Sequence, residues 1–321
     1  MKHFLSINDV SNLDVLIKQT LDLKANPFKH QQLGKNKTMV LIFLNPSLRT
    51  RLSTQKAALN LGMNCIVLNV GTDGWNLEFE DKVIMNSDKA EHIKEAAAVI
   101  SSYADIIGLR TFAGLTDREK DYKEFVLAQF TKYAKVPVVN MESATVHPLQ
   151  SLTDVVTIEE FKKVKRPKVV LTWAPHPKAL PQAVANSFAQ WVQKTEVDLV
   201  VTHPEGYELS PTFVQNAKVE YNQSKAFENA DFVYAKNWSS FKHFGEILPQ
   251  KENWTVTADK MKLTNNAFFM HCLPVRRNVV VEGEVLDSAQ SIVQQQAANR
   301  EWAAQAAVSY THLTLPTKPS V

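Results

Sequence analysis

Phe43-Leu44-Asn45-Pro46-Ser47-Leu48-Arg49-Thr50-Arg51 is the stretch on which the reading of this chain turns. It follows an apolar run, 38–44, and opens a stretch of helical periodicity near 50–61, so it is predicted to be a strand-to-helix loop. Backbone N–H groups at a helix start point outward with the positive end of the helix dipole, which makes such a loop an anion site by geometry. Ser47 and Thr50 can add hydroxyl donors, and Arg49 can clamp phosphate oxygens bidentately. The competing reading is an ordinary capped helix with solvated arginines, and so short a motif weighs the two about equally.

Outward from that loop, short apolar runs alternate with helical periodicity, the pattern of parallel strands joined by crossover helices. Strands are predicted over 38–44, 64–69, 104–109 and 136–140, with helices near 50–61, 88–101 and 118–134. A helix near 149–163 leads into a second series, with strands over 168–173, 197–202, 231–235 and 267–271. The fold class is therefore α/β, with two doubly wound parallel-sheet domains. Element order alone puts the boundary near 145–150, giving a first domain over 1–147 and a second over 148–293. A last helix covers 294–308, after which 309–321 abandons helical periodicity for Thr and Pro and reads as a non-native or disordered tail.

Composition narrows the function classes. A chain of 321 residues, 45% hydrophobic and 21% charged, has the balance of a soluble protein with room for two cores. A net charge of +3 is too small and too evenly spread to imply nucleic acid, and no segment reaches the length of an apolar membrane span. Met1-Lys-His-Phe-Leu-Ser lacks the apolar core and cleavage site of a secretory signal, so a cytoplasmic location is expected. Cys65 and Cys272 lie far apart without metal-ligand spacing, and no glycine-rich dinucleotide or P-loop fingerprint occurs, so neither a metal nor a cofactor is expected.

Two further motifs follow predicted strands. His147-Pro148-Leu149-Gln150 comes after the last strand of the first series, where ligands of open α/β sheets collect. His147 could donate to a developing oxyanion, and the Gln150 amide could hold a planar NH2 group; a lone loop histidine is more often structural. His271-Cys272-Leu273-Pro274-Val275-Arg276-Arg277-Asn278 follows a strand of the second series.

Ser-x-Arg-Thr-Arg, His-Pro-x-Gln and His-Cys-Leu-Pro, in that order across two α/β units, resemble the aspartate and ornithine carbamoyltransferase family. The resemblance covers about residues 2–307. It implies a carbamoyl phosphate-binding first domain, an acceptor-binding second domain, and a final helix returning to the first. It also implies that Ser47, Leu48, Arg49 and Thr50 bind carbamoyl phosphate, with Arg110 as a second phosphate and carbonyl clamp. His147, Pro148, Leu149 and Gln150 then hold the carbamoyl group, Cys272 positions the attacking amine, Leu273 offers its backbone carbonyl, and Arg300 reaches back to carbamoyl phosphate. Arg49, Thr50, Arg110, His147, Gln150, Cys272 and Arg300 form the catalytic set. For Arg110 the competing reading is a surface charge at a strand end.

Departures from the family pattern describe the acceptor. The Asp-x-x-x-Ser-Met-Gly loop of enzymes that act on free ornithine is missing, and Asp231-Phe-Val-Tyr-Ala-Lys236-Asn-Trp238 stands at the comparable strand end. A cation there suits a carboxylate and opposes a free α-ammonium, so the α-amino group is expected to be blocked. Thr172-Trp-Ala-Pro-His176-Pro-Lys-Ala-Leu-Pro181, Trp75 and Lys236 resemble the family branch that carbamoylates N-acetylornithine or N-succinylornithine. That likeness implies a knotted second domain, acceptor contacts at Glu142, His176, Lys236, Cys272 and Arg276, and Trp75 donated across a subunit boundary within a homotrimer. Trp75 as core filling and the prolines as a stiff turn are the alternatives. Ala90 stands where a glutamate would repel a succinyl carboxylate, which favours N-succinylornithine over N-acetylornithine. A different class, an inactive binding protein of the same fold, stays open.

Overall fold

The structure, a computed structural model, describes residues 3–313. It divides into two compact units. The first holds 3–113, 119–144 and 300–313; the second holds 114–118 and 145–299. Element order put the divisions at 147 and 293; here they fall after Ala144 and inside the last helix, after Asn299.

The first unit runs through α1 (Leu13–Ala25), β1 (Thr38–Phe43), α2 (Arg49–Asn60), β2 (Asn64–Asn69), β3 (Asn76–Glu78), β4 (Lys89–His92), α3 (Ile93–Ser102) and β5 (Ile106–Arg110). It continues through α4 (Arg118–Tyr122), whose first residue belongs to the second unit, α5 (Phe125–Tyr133) and β6 (Val138–Glu142). Its sheet is all parallel in the order β2-β1-β5-β6. Met39 to Phe43 are buried without a break, as expected of an inner strand covered on both faces. Val40, Ile42, Ile107 and Leu109 pack against Ile93 and Ala97 of α3 and Leu127 and Phe130 of α5.

The second unit holds α6 (Pro148–Phe161), β7 (Lys168–Trp173), α7 (Ala183–Val192), β8 (Asp198–Thr202), α8 (Pro211–Val214), β9 (Lys218–Glu220) and α9 (Gln223–Phe227). β10 (Phe232–Lys236), α10 (Ala258–Met261), β11 (Phe268–Met270), α11 (Gly283–Leu286) and the start of α12 (Val293–Leu313) complete it. This sheet is also all parallel, ordered β11-β10-β7-β8-β9. Val170, Val233, Phe269, Phe227 and Val281 lead its core.

Both sheets reverse their winding direction, at β1/β5 in the first unit and at β7/β10 in the second. Open α/β sheets bind ligands outside the carboxyl ends of the strands at such points. Thr50 and Arg110 follow or end the strands at the first switch point, and His176 and Lys236 at the second.

Three stretches differ from the sequence expectation. Residues 89–92, assigned to the helix 88–101, pair as a strand with Asn76–Glu78; the helix starts at Ile93, where His92 caps the Lys94 N–H. The helix expected over 118–134 breaks at Glu124 (φ 51°), whose carboxylate accepts from Ser143 Oγ and the Ala144 N–H. The last helix does not stop at 308. It runs to Leu313 because Ser309, Tyr310 and Thr311 are buried, with Tyr310 edge-on to Phe4 and its hydroxyl accepting the Ser11 N–H at 2.9 Å. Tertiary packing there outweighs a weak local helix propensity. The rest of the expected tail, 314–321, lies outside the described residues. No described helix is long and apolar enough to cross a membrane.

Candidate active site

In the first unit the strand-to-helix loop and the end of β5 meet on a single hydroxyl. Thr50, in the first turn of α2 and 1% exposed, has Arg110 Nη1 at 3.2 Å and Arg300 Nη2 at 2.6 Å from its Oγ1. The Thr50 N–H donates to Ser47 Oγ at 3.3 Å, so the loop folds over its own helix start. Asn45 Oδ1 accepts the Phe112 N–H at 2.7 Å and ties that loop to the segment after β5. The Arg110 guanidinium lies 4.5 Å from the Phe112 ring and is ion-paired to Glu142 Oε2 at 2.5 Å. Two guanidinium groups donating to one neutral hydroxyl hold their N–H groups on a weak acceptor. An anionic oxygen would be a stronger one. Leu48 precedes the helix with no side-chain cap and Arg49 is its half-buried first residue.

In the second unit, His147 caps α6, with Pro148 at the first helical position where its missing N–H costs nothing. His147 Nδ1 accepts the Gln150 N–H at 3.3 Å, which assigns the proton to Nε2, the donor form that an oxyanion requires. Gln150, 1% exposed, donates Nε2 to Asp154 Oδ1 at 2.7 Å; Leu149 beside it packs in the core. Nδ1 of His271 accepts the Leu273 N–H at 2.8 Å and shapes the loop carrying Cys272 and Leu273. Leu273 is held at φ 53°, a conformation that a branched side chain takes only under constraint from its surroundings. Tyr234 lies beside Cys272 and Asp154, and burial with those neighbours pushes its hydroxyl well above the ordinary phenol range.

A second group gathers at the carboxyl ends of β7 and β10. Arg276 Nε donates to His176 Nε2 at 3.1 Å, and His176 Nδ1 lies 2.9 Å from the Lys178 carbonyl. The imidazole is thus neutral, protonated on Nδ1. Burial lowers its pKa, the bond to the Lys178 carbonyl raises it, and the positive charges of Lys236 and Arg276 lower it further. Lys236 and Arg276 are the cations of this group, suited to carboxylates, with His176 as a neutral partner of Arg276.

The other expected residues are dispersed. Glu142, expected at the acceptor, is the buried ion-pair partner of Arg110. Trp75 is 59% exposed, which excludes core filling, and its indole donates to Glu91 Oε2 at 2.8 Å. Ala90 is exposed on β4 and is the extra residue of a bulge, since Lys89 faces Asn76 while Glu91 faces Leu77.

Residues 2–160 match the model of the aspartate/ornithine carbamoyltransferase carbamoyl-P binding domain, and 181–311 match its Asp/Orn binding domain. The chain belongs to the aspartate/ornithine carbamoyltransferase family. Among members of this carbamoyltransferase family, N-succinylornithine carbamoyltransferase of Bacteroides thetaiotaomicron is 57% identical, over 94% of this chain and 95% of its own length. N-acetylornithine carbamoyltransferase of Xylella fastidiosa is 38% identical over 94% and 95%. A solved glutamate-to-alanine variant of N-acetyl-L-ornithine transcarbamylase, complexed with carbamyl phosphate and N-succinyl-L-norvaline, superposes with a TM-score of 0.91 at 37% identity, covering 97% of this chain and 100% of that one.

Sequence reasoning missed two residues that bond into the group around Gln150. Asp154 stands four positions after Gln150 on α6, a spacing that places both on one helix face and could have been read. Gln296, which also bonds Asp154, comes from α12, and nothing local in the sequence links it to α6.

Proposed function

We propose that the chain transfers the carbamoyl group of carbamoyl phosphate to the side-chain amine of N-succinyl-L-ornithine, giving N-succinyl-L-citrulline and phosphate, a step of arginine biosynthesis. The observation that carries the reading is the convergence of Arg110 and Arg300 on Thr50 Oγ1 at a helix start. Ser47, the Leu48 and Arg49 turn, Thr50, Arg110 and Arg300 take the phosphate. His147 and Gln150 take the carbamoyl oxygen and nitrogen. The neutral amine attacks the carbamoyl carbon, the carbon–oxygen bond to phosphorus breaks, and the departing phosphate accepts the amine proton. Charge growing on the carbamoyl oxygen is stabilised by Thr50, Arg110, His147 and Arg300. No covalent intermediate is needed, and Cys272 positions the amine.

Lys236 and Arg276 supply the cations for the acceptor's carboxylates, His176 stands beside Arg276 as a neutral hydrogen-bonding group, and Lys236 opposes a free α-ammonium. Ala90 offers no carboxylate to repel a succinyl group. Glutamate-replacement variants of N-acetyl-L-ornithine transcarbamylase that carry N-succinyl-L-norvaline support the same direction. N-Acetyl-L-ornithine is the second acceptor to compare, because relatives acting on it are 38% identical.

A homotrimer with Trp75 donated to a neighbouring site is part of the proposal. Leu48 just before α2, Leu52 and Leu59 of α2 and Ile66 of the edge strand β2 are each more than half exposed, with relative accessibilities of 67%, 60%, 58% and 51%, which supports an apolar contact face on this unit. The enzyme is assigned to the cytoplasm. The test is phosphate release from carbamoyl phosphate with N-succinylornithine, N-acetylornithine and ornithine in parallel. The expected order of kcat/KM is succinyl, acetyl, free ornithine; binding of carbamoyl phosphate without phosphate release on any acceptor would leave only the binding-protein reading.

A further inference from the structure

Helix α2 carries Thr50 in its first turn and Asn60 as its last residue, and α12 is tied to it at both places. At the far end Asn60 Nδ2 donates to Glu301 Oε1 at 2.8 Å and to Gln305 Oε1 at 3.2 Å. Glu301 and Gln305 are four residues apart on α12, so they stand one above the other on one helix face and a single NH2 group reaches both. The amide polarities follow from the outermost group. The Pro27 carbonyl can only accept, and Gln305 Nε2 lies 2.6 Å from it, which turns the Gln305 oxygen towards Asn60 and requires Asn60 to present its NH2. Asn60 is 1% exposed and Gln305 is fully buried, so bulk water offers no replacement for a lost partner. Arg300, the residue before Glu301, reaches Thr50 Oγ1 at 2.6 Å.

We propose that Asn60 is a positioning residue: by holding Glu301 and Gln305 it fixes the height and rotation of α12 on α2, and so sets the Arg300 guanidinium against Thr50, where carbamoyl phosphate is taken. The inference rests on the assignment of Arg300 to carbamoyl phosphate and adds what places that arginine. Neighbouring residues of a helix are about 100° apart around its axis, so one helix can hold Asn60 through Glu301 while Arg300 points elsewhere, and a turn or slide of that helix moves both. A displacement of roughly 1 Å at a positioned group is enough to cost binding and rate. Lys236 and Arg276, assigned to the acceptor, belong to the second unit and do not depend on this tie.

The experiment measures the Kd of carbamoyl phosphate by titration calorimetry, and the KM of N-succinylornithine at saturating carbamoyl phosphate, on the full-length chain. Asn60→Ala is expected to raise that Kd about fivefold or more and to change the acceptor KM less than about twofold. In an Arg300→Ala background the same substitution should add less than about twofold, because the group that it positions is gone. Loosening of the fold alone would weaken binding by the same factor in both backgrounds; that result, or an unchanged Kd in Asn60→Ala, overturns the proposal. Glu301→Gln keeps an oxygen for Asn60 and should bind carbamoyl phosphate within about twofold of the wild type, whereas Glu301→Ala should weaken it; equal losses in the two would contradict the proposal. Arg300→Ala by itself tests the underlying assignment: a wild-type Kd there refutes the Arg300 reading, whereas a raised Kd there with equal factors for Asn60→Ala in both backgrounds refutes only the part assigned to Asn60. Should Asn60→Ala fail to fold, Glu301→Ala takes its place in the same comparison with Arg300→Ala, with the same expected and contrary results.

Discussion

Arg110 and Glu142 end neighbouring parallel strands, and their side chains meet there as a buried ion pair, Nη1 to Oε2 at 2.5 Å, with each residue 7% exposed. Arg110 also touches Thr50, so one guanidinium joins the charge balance of the core to the group assigned to the phosphate.

Arg110→Ala therefore has two effects. Turnover is expected to fall on the order of 100-fold or more through loss of an oxyanion and phosphate donor. Stability is also expected to fall, by about 3–5 kcal/mol, because Glu142 is left buried without its cation. Adding Glu142→Gln should restore much of the melting temperature and none of the activity. Equal recovery of both would show that Arg110 acts only through stability.

Ala90→Glu should reverse acceptor preference. A carboxylate at this bulge repels the succinyl carboxylate and leaves an acetyl group unaffected, so the ratio of kcat/KM for N-succinylornithine over N-acetylornithine is expected to drop about tenfold or more. Measured side by side, an unchanged ratio would remove Ala90 from the specificity determinants.

How legible this was in the sequence depends on whether the cause was local. The loop 45–50 could be read because the apolar run Met39–Phe43 and a polar helix start lie close together in sequence as they do in space. His147 and Pro148 are local helix-start signals and were readable in the same way. The strand Lys89–His92 carries two charges and pairs, as Asn76 with Lys89 and Glu78 with His92, with a segment outside its own local pattern, so its composition read as helix. Gln296 reaches Asp154 from 142 residues away, and Tyr310 reaches Ser11 from 299; neither leaves a periodic trace.

His176 should titrate below its ordinary value near 6.5, chiefly because burial disfavours the charged ring. The folded state then favours the neutral form. Its contribution to stability is fully present above pH 6.5 and is lost as pH falls through the lowered folded value. An NMR titration of the ring protons should show that midpoint, and the difference in melting temperature between wild type and His176→Asn should narrow as the buffer moves from pH 7 to pH 5. A midpoint above 6.5 would contradict the neutral His176–Arg276 contact.

Trp75→Ala should separate stability from activity. The side chain is more than half exposed and donates to one surface carboxylate, so the melting temperature is expected to move little. Activity should fall at least tenfold if the indole completes a neighbouring site. Sedimentation of a monomer that turns over at full rate would contradict that role.

A crystal structure of the chain with carbamoyl phosphate and N-succinyl-L-norvaline tests the central claim most directly. Phosphate oxygens are expected within hydrogen-bonding distance of Thr50 Oγ1 and the Arg110 and Arg300 guanidinium groups, with a carboxylate of the acceptor analogue on Lys236 or Arg276. Phosphate bound away from Thr50 and both arginines would contradict it.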